Sequence, residues 1–214
     1  TRYISVTGVQ TCALPISADC SIDFFAGPTE IVIVAASGSA QWVAADLIAQ
    51  AEHDPEARSI FITWKRAFAE RVSKAVDRLA KGRDIVTASL AAHGVIVVAA
   101  DAREAMALSN RLAPEHLVVE NDALIAGPTV AGAVFVGPYT AQAAGDYATG
   151  SNHVLPTAGA SRFRGGLHAA DFVRLMAVQR LTQDGLRRIA PAVVPLARAE
   201  GLRAHAESVE VRLA

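Results

Sequence analysis

Polar residues at short spacing are the first feature of this sequence that could do chemistry. Gln50 and His53 stand three positions apart, and a helix would place them about 60° apart on one face. Glu115 and His116 are adjacent, and a carboxylate beside an imidazole can supply two bases. The same spacings also fit ordinary structure, namely a solvated helix end for the first pair and an exposed polar turn for the second.

Further candidates lie towards the C-terminus. Asp146 stands in a long segment rich in small residues, and Glu200 and His205 flank Gly201. Side chains of the types found at Gln50, His53, Asp146 and His205 can ligate zinc, although an amide is an unusual ligand. A turn cap for Asp146 and a surface helix end for Glu200 and His205 are the structural alternatives.

The elements that must position these residues alternate between strand and helix. Apolar runs predict strands at 30–36, 59–63, 94–100, 117–119 and 133–136; the first is expected to be buried on both faces, and the third is also expected to be buried. Helical spacing predicts helices at 40–53, 65–81 and 102–112, the last capped by Asp101 with Glu104. This alternation indicates an α/β fold with a parallel sheet covered by helices. Residues 138–166 read as a long loop, followed by helices at 167–181 and 184–199 and a short strand at 208–213.

Composition and missing motifs exclude several function classes. Apolar residues make up 52% and charged residues 19% of 214 residues, which excludes a disordered chain. Lys and Arg number 20 and Asp and Glu 21, so charge gives no case for a nucleic-acid or anionic-membrane partner. No glycine-rich dinucleotide or Walker loop, G-x-S-x-G or H-E-x-x-H motif is present.

The N-terminal segment differs from the rest of the chain. Residues 1–17 show neither alternation nor a helical stripe, and they resemble a translation of sequencing-adapter DNA. We therefore expect a non-native leader there, with no function for Cys12. Cys12 and Cys20 form no C-x-x-C pair, and no signal peptide is recognisable, so a cytoplasmic setting is expected.

Five sequence blocks, read together, resemble the histidinol dehydrogenase family. The blocks are Ile22-Asp23-x-x-Ala26-Gly27-Pro28-Thr29-Glu30, Asp46-Leu47-x-x-Gln50-Ala51-Glu52-His53, Ala113-Pro114-Glu115-His116-Leu117, Gly145-Asp146-Tyr147-x-x-Gly150-x-Asn152-His153-Val154-Leu155-Pro156-Thr157 and Glu200-x-x-x-x-His205. Their order and spacing agree with the family from about Ile22 to the C-terminus. Thr29 replaces a common Ser, Phe25 replaces a common Pro, and residues 140–144 depart from a usual Pro-Glu-containing stretch.

The resemblance implies roles for the candidate residues. It implies that zinc is bound by Gln50, His53, Asp146 and His205, the last donated across the interface of an intertwined homodimer. It implies that Glu115 and His116 are catalytic, and that substrate is contacted by Thr29, Gln50, His53, His116, Asp146, Glu200 and His205. The reaction implied is the oxidation of L-histidinol through histidinal to L-histidine by two NAD⁺.

The resemblance also implies an architecture. It predicts an incomplete Rossmann-like parallel sheet with flanking helices over 18–150, then a long loop and a small, mainly helical dimerisation region over 151–214. Family members carry a large N-terminal half with the NAD contacts, which is missing here, so we expect an inactive fragment. Two alternatives stay open: a family paralogue oxidising another small alcohol, and a zinc-binding, dimer-forming module without activity.

Overall fold

The computed structural model of the protein describes residues 27–214. The predicted leader, Cys12 and Cys20 therefore lie outside the described residues. The chain forms two compact units, of which the first ends at Phe172 and the second is Val173–Ala214. In the part of the chain that the structure describes, no helix is long and apolar enough to cross a bilayer.

The first unit is built on a five-stranded parallel sheet. The strands are β1 (Glu30–Val34), β2 (Arg58–Thr63), β3 (Gly94–Val98), β4 (His116–Val119) and β5 (Ala133–Val136), in the order β3-β2-β1-β4-β5. This order matches the first five positions of the doubly wound Rossmann sheet. The prediction of an α/β fold with a parallel sheet and flanking helices is confirmed.

Helices cover both faces of this sheet. They are α1 (Ala40–Ala51), α2 (Arg66–Leu79), α3 (Asp84–His93), α4 (Ala102–Leu112) and the single turn α5 (Gln142–Gly145). Because successive strand residues point to opposite faces, Ile31 and Ile33 pack with Leu47 and Phe68, while Val32 and Val34 pack in a separate cluster that includes Met106. Helix α3 was not predicted, since it runs into β3 without a Gly, Pro or turn sequence before Gly94.

The expectation that β3 is a buried strand is wrong. β3 pairs only with β2 among the described residues, and Val95, Ile96 and Val98 are 38–47% exposed. The apolar run at 94–100 therefore predicts a strand correctly, but it does not predict that this strand lies at the edge of the sheet. An apolar edge strand with unpaired backbone groups is a template for association with another chain.

The second unit is a helical hairpin. α6 (Gln183–Ala199) confirms the helix predicted at 184–199, and it is joined to α7 (Arg203–Glu210) through Gly201, whose φ is +78°. An ion pair of 2.6 Å between Arg198 and Glu210 ties the two helices together.

Two predictions near the C-terminus are wrong. The strand predicted at 208–213 is the end of α7 and a following turn; Val209 and Leu213 are four residues apart, which suits a helix as well as the presumed alternation does. The helix predicted at 167–181 is absent apart from a 3₁₀ turn at Ala169–Phe172. Leu175 and Val178 are 96% and 78% exposed, so a helix there would have no packed face to stabilise it.

We expect a charge on the edge strand to reduce self-association of the chain. Val98→Lys should lower concentration-dependent association measured by analytical ultracentrifugation, because edge lysines block strand addition. Its free energy of unfolding should change by no more than about 0.5 kcal/mol, since Val98 is 40% exposed. The matched control is Val34→Lys, at a residue 0% exposed, which should unfold. Unchanged association of the Val98 variant would show that the chain does not self-associate through the edge of β3.

Candidate active site at the amino edge of the sheet

The candidate site lies where β1 and β4 begin. The parallel register pairs Ile31 with His116, which brings Thr29 and Glu30 alongside Glu115 and His116. We call this edge, formed by the first residues of the strands, the amino edge. Ligands of open α/β sheets usually bind at the opposite edge, where the strands end, so topology alone did not point here.

A short hydrogen-bond relay connects helix α1 to Glu115. Nε2 of Gln50 donates to Oγ1 of Thr29 at 2.6 Å, and that hydroxyl donates to Oε2 of Glu115 at 2.6 Å. The backbone N–H of Glu30 donates to the same carboxylate oxygen at 3.0 Å. Both donors use Oε2, which leaves Oε1 of Glu115 as the oxygen available to take a proton.

His116 is fixed through one ring nitrogen and free at the other. Its Nδ1 lies 3.2 Å from the carbonyl oxygen of Glu30, so Nδ1–H donates to that oxygen and the neutral ring keeps its lone pair on Nε2. Nε2 is buried without a hydrogen-bond partner among the described residues, 3.9 Å from Oδ1 of Asp146. Asp146 is itself held by Gln142, whose Nε2 donates to Oδ2 at 3.2 Å.

Burial tunes both bases towards neutral pH. Desolvation raises the pKa of Glu115 to about 7; hydrogen bonds from Thr29 and the Glu30 N–H oppose this, and the negative charges of Glu30 and Asp146 add to it. Desolvation lowers the pKa of His116, against the attraction of Asp146. A neutral imidazole and a carboxyl group that titrates near 7 are both suited to accept protons at physiological pH.

The structure brings five predicted site residues of the first unit together: Thr29, Gln50, Glu115, His116 and Asp146. His53 is exposed, and among the described residues its side chain makes no hydrogen bond or ion pair with this cluster. The expectation that Gln50 and His53 share one helical face is wrong, since α1 ends at Ala51 and His53 lies in the following bend.

The remaining predicted residues lie on the second unit. Glu200 follows the last residue of α6 and His205 lies on α7, and both side chains are exposed. Their roles as substrate contact and zinc ligand stay predictions.

Two residues of the cluster were missed in the sequence. The main-chain N–H of Glu30 donates to Glu115, and its carbonyl oxygen accepts from His116. A charged residue at the start of an otherwise apolar strand was the signal in the sequence that could have identified it. Gln142 is 1% exposed and supports Asp146, but nothing in its sequence context marks it.

The relay orients the amide of Gln50 and leaves its oxygen without a hydrogen bond. Because Nε2 of Gln50 is committed to Thr29, its Oε1 points elsewhere, and this oxygen is buried without a hydrogen-bond partner among the described residues. Within residues 27–214, no group of three or more His, Cys, Asp or Glu side chains could by itself hold a metal ion. The predicted ligand set instead combines the amide of Gln50 with His53 and Asp146, and the unpaired oxygen of Gln50 fits such a role.

The carboxyl edge of the sheet is built differently. There Glu120 accepts hydrogen bonds at Oε2 from the N–H groups of Ala36 and Ser37 and from the Ser37 hydroxyl, at 2.9–3.0 Å. A cavity of about 180 Å³ beside them is lined by Asp46, whose pKa is raised to about 6 by burial. Two backbone N–H groups of the first strand–helix turn are thus occupied by a carboxylate of the chain itself.

The raised pKa of Glu115 predicts how stability depends on pH. Its folded-state pKa of about 7 lies above the ordinary value of 4.5, so the folded state holds a proton that the unfolded state releases. This contribution to stability is complete below pH 4.5 and is lost as pH rises through 7. Glu115→Gln mimics the protonated form. The free energy of unfolding of this variant, measured in urea, should therefore increase relative to that of the wild type as the pH rises from 5 to 8. Parallel curves for the two proteins would contradict the assignment.

Comparison with known proteins identifies the family that the chain resembles. Residues 9–213 match the family model described as histidinol dehydrogenase. The chain is 48% identical over 200 residues to histidinol dehydrogenase of Rhodospirillum rubrum and 45% identical over 199 residues to that of Rhizobium meliloti (strain 1021). Each match covers 90% of this chain and 46% of the relative, so the chain spans about half the length of these curated relatives.

The fold is shared as well. The crystal structure of histidinol dehydrogenase from Elizabethkingia anophelis superposes with a TM-score of 0.89 at 31% sequence identity, covering 98% of this chain and 50% of that one. The five-block resemblance, the match over residues 9–213 and the shared fold lead to one conclusion: the chain belongs to the histidinol dehydrogenase family.

Proposed function

We propose that this chain supplies the zinc-binding and acid–base part of an NAD-dependent dehydrogenase that oxidises L-histidinol through histidinal to L-histidine. The observation that carries the proposal is the amino-edge cluster, in which Glu115 and His116 are buried, fixed and poised as bases. Membership of the histidinol dehydrogenase family supports the choice of substrate.

Gln50, His53 and Asp146 would hold Zn²⁺ together with His205 from a second copy of the chain in a homodimer. When bound, zinc would act as a Lewis acid that fixes the amine and imidazole of the substrate. The buried and unpaired Oε1 of Gln50 supports this arrangement. Thr29 holds the Gln50 amide from the other side, so it orients this ligand at the same time as it serves Glu115.

His116 takes the proton in the first oxidation. Its Nδ1–H is committed to the Glu30 carbonyl, so Nε2 would accept the proton of the substrate hydroxyl as the carbinol carbon loses a hydride, for which NAD⁺ would be the acceptor. Burial keeps the ring neutral beforehand by lowering its pKa. Asp146, 3.9 Å from Nε2, stabilises the imidazolium that forms.

Glu115 takes the proton in the second oxidation. Conversion of the aldehyde to the acid consumes one water, which adds to the carbonyl carbon before the second hydride is lost. A second NAD⁺ would accept that hydride. Oε1 of Glu115 accepts the proton of that water, and the pKa of about 7 suits both its capture and its release. Thr29 and the Glu30 N–H hold Oε2 during the exchange.

The NAD contacts are proposed to lie in the part of the relatives that this chain does not match. In Rossmann folds the first strand–helix turn binds the dinucleotide pyrophosphate through free N–H groups. Here Glu120 accepts two of those N–H groups, and this supports a cofactor position outside the described sheet.

Activity is therefore expected to depend on the portion of the relatives that this chain does not match. The 214-residue chain with zinc, histidinol and NAD⁺ should form no measurable NADH, because positioning the nicotinamide supplies about 7–11 kcal/mol of the barrier lowering. A chimera that joins the unmatched part of the Rhizobium meliloti enzyme to this chain should form NADH. Turnover by the chain alone would place the cofactor site within it. A folded, zinc-loaded chimera without turnover on histidinol would favour the paralogue or the zinc-binding module.

Zinc affinity tests the proposed ligand set. In the chimera, His53→Ala and Gln50→Ala should each weaken zinc binding at least about tenfold, measured by competition with a fluorescent chelator. The matched control is His168→Ala, a histidine that is 64% exposed and ion-paired with Asp171, and it should bind zinc like the parent. Equal affinity of the His53 variant and the control would remove His53 from the set.

A further inference from the structure

Gln142 is a buried amide to which the proposed reaction gives no part. It is the first residue of α5 and only 1% exposed, and burying an amide is costly unless it forms hydrogen bonds. Its Nε2 donates to Oδ2 of Asp146 at 3.2 Å. The NH₂ group must face the carboxylate, because an amide oxygen turned towards it would meet a second acceptor. The contact with Asp146 therefore accounts for a polar side chain at this buried position.

The spacing of the two residues fits one turn of helix. Residues four apart on a helix face each other, and glutamine–aspartate pairs at this spacing form side-chain hydrogen bonds. α5 ends at Gly145, and Asp146 follows it with its N–H bonded to the carbonyl oxygens of Ala143 and Ala144. A single helical turn is not stable by itself, so packing within the first unit must hold it in place.

Phe135 of β5 supplies such packing. A Cβ added to Gly145 would lie 2.6 Å from the Phe135 ring, so the turn approaches this ring more closely than a residue with a side chain could. The same ring lies 6.0 Å, centroid to centroid, from the imidazole of His116. Phe135 thus contacts the turn that carries Asp146 and lies beside the imidazole that Asp146 faces, and it sets the separation between them.

The hydrogen bond from Gln142 distinguishes the two carboxylate oxygens of Asp146. Oδ2 is held by the amide, whereas Oδ1 lies 3.9 Å from Nε2 of His116. Without the amide, rotation about χ1 and χ2 would turn either oxygen, or neither, towards the imidazole. A neutral donor suits this position, because a lysine or arginine would neutralise the charge of Asp146 and a carboxylate would repel it.

We propose that Gln142 is a positioning residue: its buried amide holds Oδ2 of Asp146, so that Oδ1 is the oxygen presented to Nε2 of His116 and to a bound metal ion. This inference rests on the proposed function, in which Asp146 ligates zinc and stabilises the imidazolium of His116. It adds that a neutral side chain sets the direction of this carboxylate through one hydrogen bond.

The test uses Gln142→Met in the metal-free 214-residue chain. Methionine is unbranched and fills a similar space, but it has no N–H donor. The three-bond NMR couplings that report χ1 of Asp146 should indicate one rotamer in the wild type and an average over rotamers in the variant. A residue that only filled the core would leave these couplings unchanged. The matched control is Gln41→Met, at an exposed position of α1, which should keep the wild-type couplings.

Zinc affinity provides a second readout, measured by competition with a fluorescent chelator. Gln142→Met should bind zinc about tenfold more weakly than the wild type, because a ligand that loses its hydrogen-bond partner is less well oriented. The Gln41→Met control should bind zinc like the wild type. Wild-type couplings in Gln142→Met, or averaged couplings with wild-type zinc affinity, would overturn the inference.

A second variant keeps the amide and shortens its reach. Gln142→Asn withdraws the donor from Asp146 by one methylene, so the Asp146 couplings should again be averaged over rotamers. This variant carries the test if Gln142→Met does not fold, and a single Asp146 rotamer in it would contradict the inference. The couplings are measured without metal, so a wild-type chain that bound no zinc would count against the proposed function alone.

Discussion

The parallel pairing of β1 with β4 is the constraint on which the site depends. Because Ile31 lies opposite His116, the N–H and C=O of Glu30 reach Glu115 and His116 from one peptide segment. A slip of one residue would turn every side chain to the other face and would separate the two bases from their partners. The apolar residues of β1 and β4, which pack on both faces of the sheet, therefore fix the geometry of Glu115 and His116 as well as the core.

A glutamate at each end of β4 ties that strand to β1. Glu115 accepts the N–H of Glu30 at the amino edge, and Glu120 accepts those of Ala36 and Ser37 at the carboxyl edge. The two glutamates differ in their surroundings. The Ser37 hydroxyl completes the contacts of Glu120. Glu115 accepts a hydrogen bond from Thr29 and lies near the negative charge of Glu30 and the buried imidazole of His116. The same strand pairing thus holds a hydrogen-bonded structural carboxylate at one edge and, at the other, a carboxyl group whose pKa burial raises.

The secondary structure that depends on local sequence pattern could be predicted from the sequence. The exposure and contacts that depend on how the elements pack together could not. Strand and helix periodicity located β1, β2 and α2 because their apolar residues are buried where the pattern requires. The exposure of β3 and the absence of a helix at 167–181 follow from which surfaces meet, and no local spacing encodes that. In the site, the motif residues were identified by resemblance, but the roles of Glu30 and Gln142 arise only once strand register and loop docking bring them beside Glu115 and Asp146.

We propose that His116 accepts the proton of the alcohol in the first oxidation and that Glu115 accepts the proton of water in the second. This proposal is tested most directly by Glu115→Gln in the chimera, comparing the first NADH formed from histidinol in a single turnover with NADH formed from histidinal. The account predicts a loss of about 10²–10⁴ in the histidinal reaction and a loss of less than about tenfold in the first step from histidinol. Equal losses in both reactions would contradict it and would make Glu115 a structural support of the whole site.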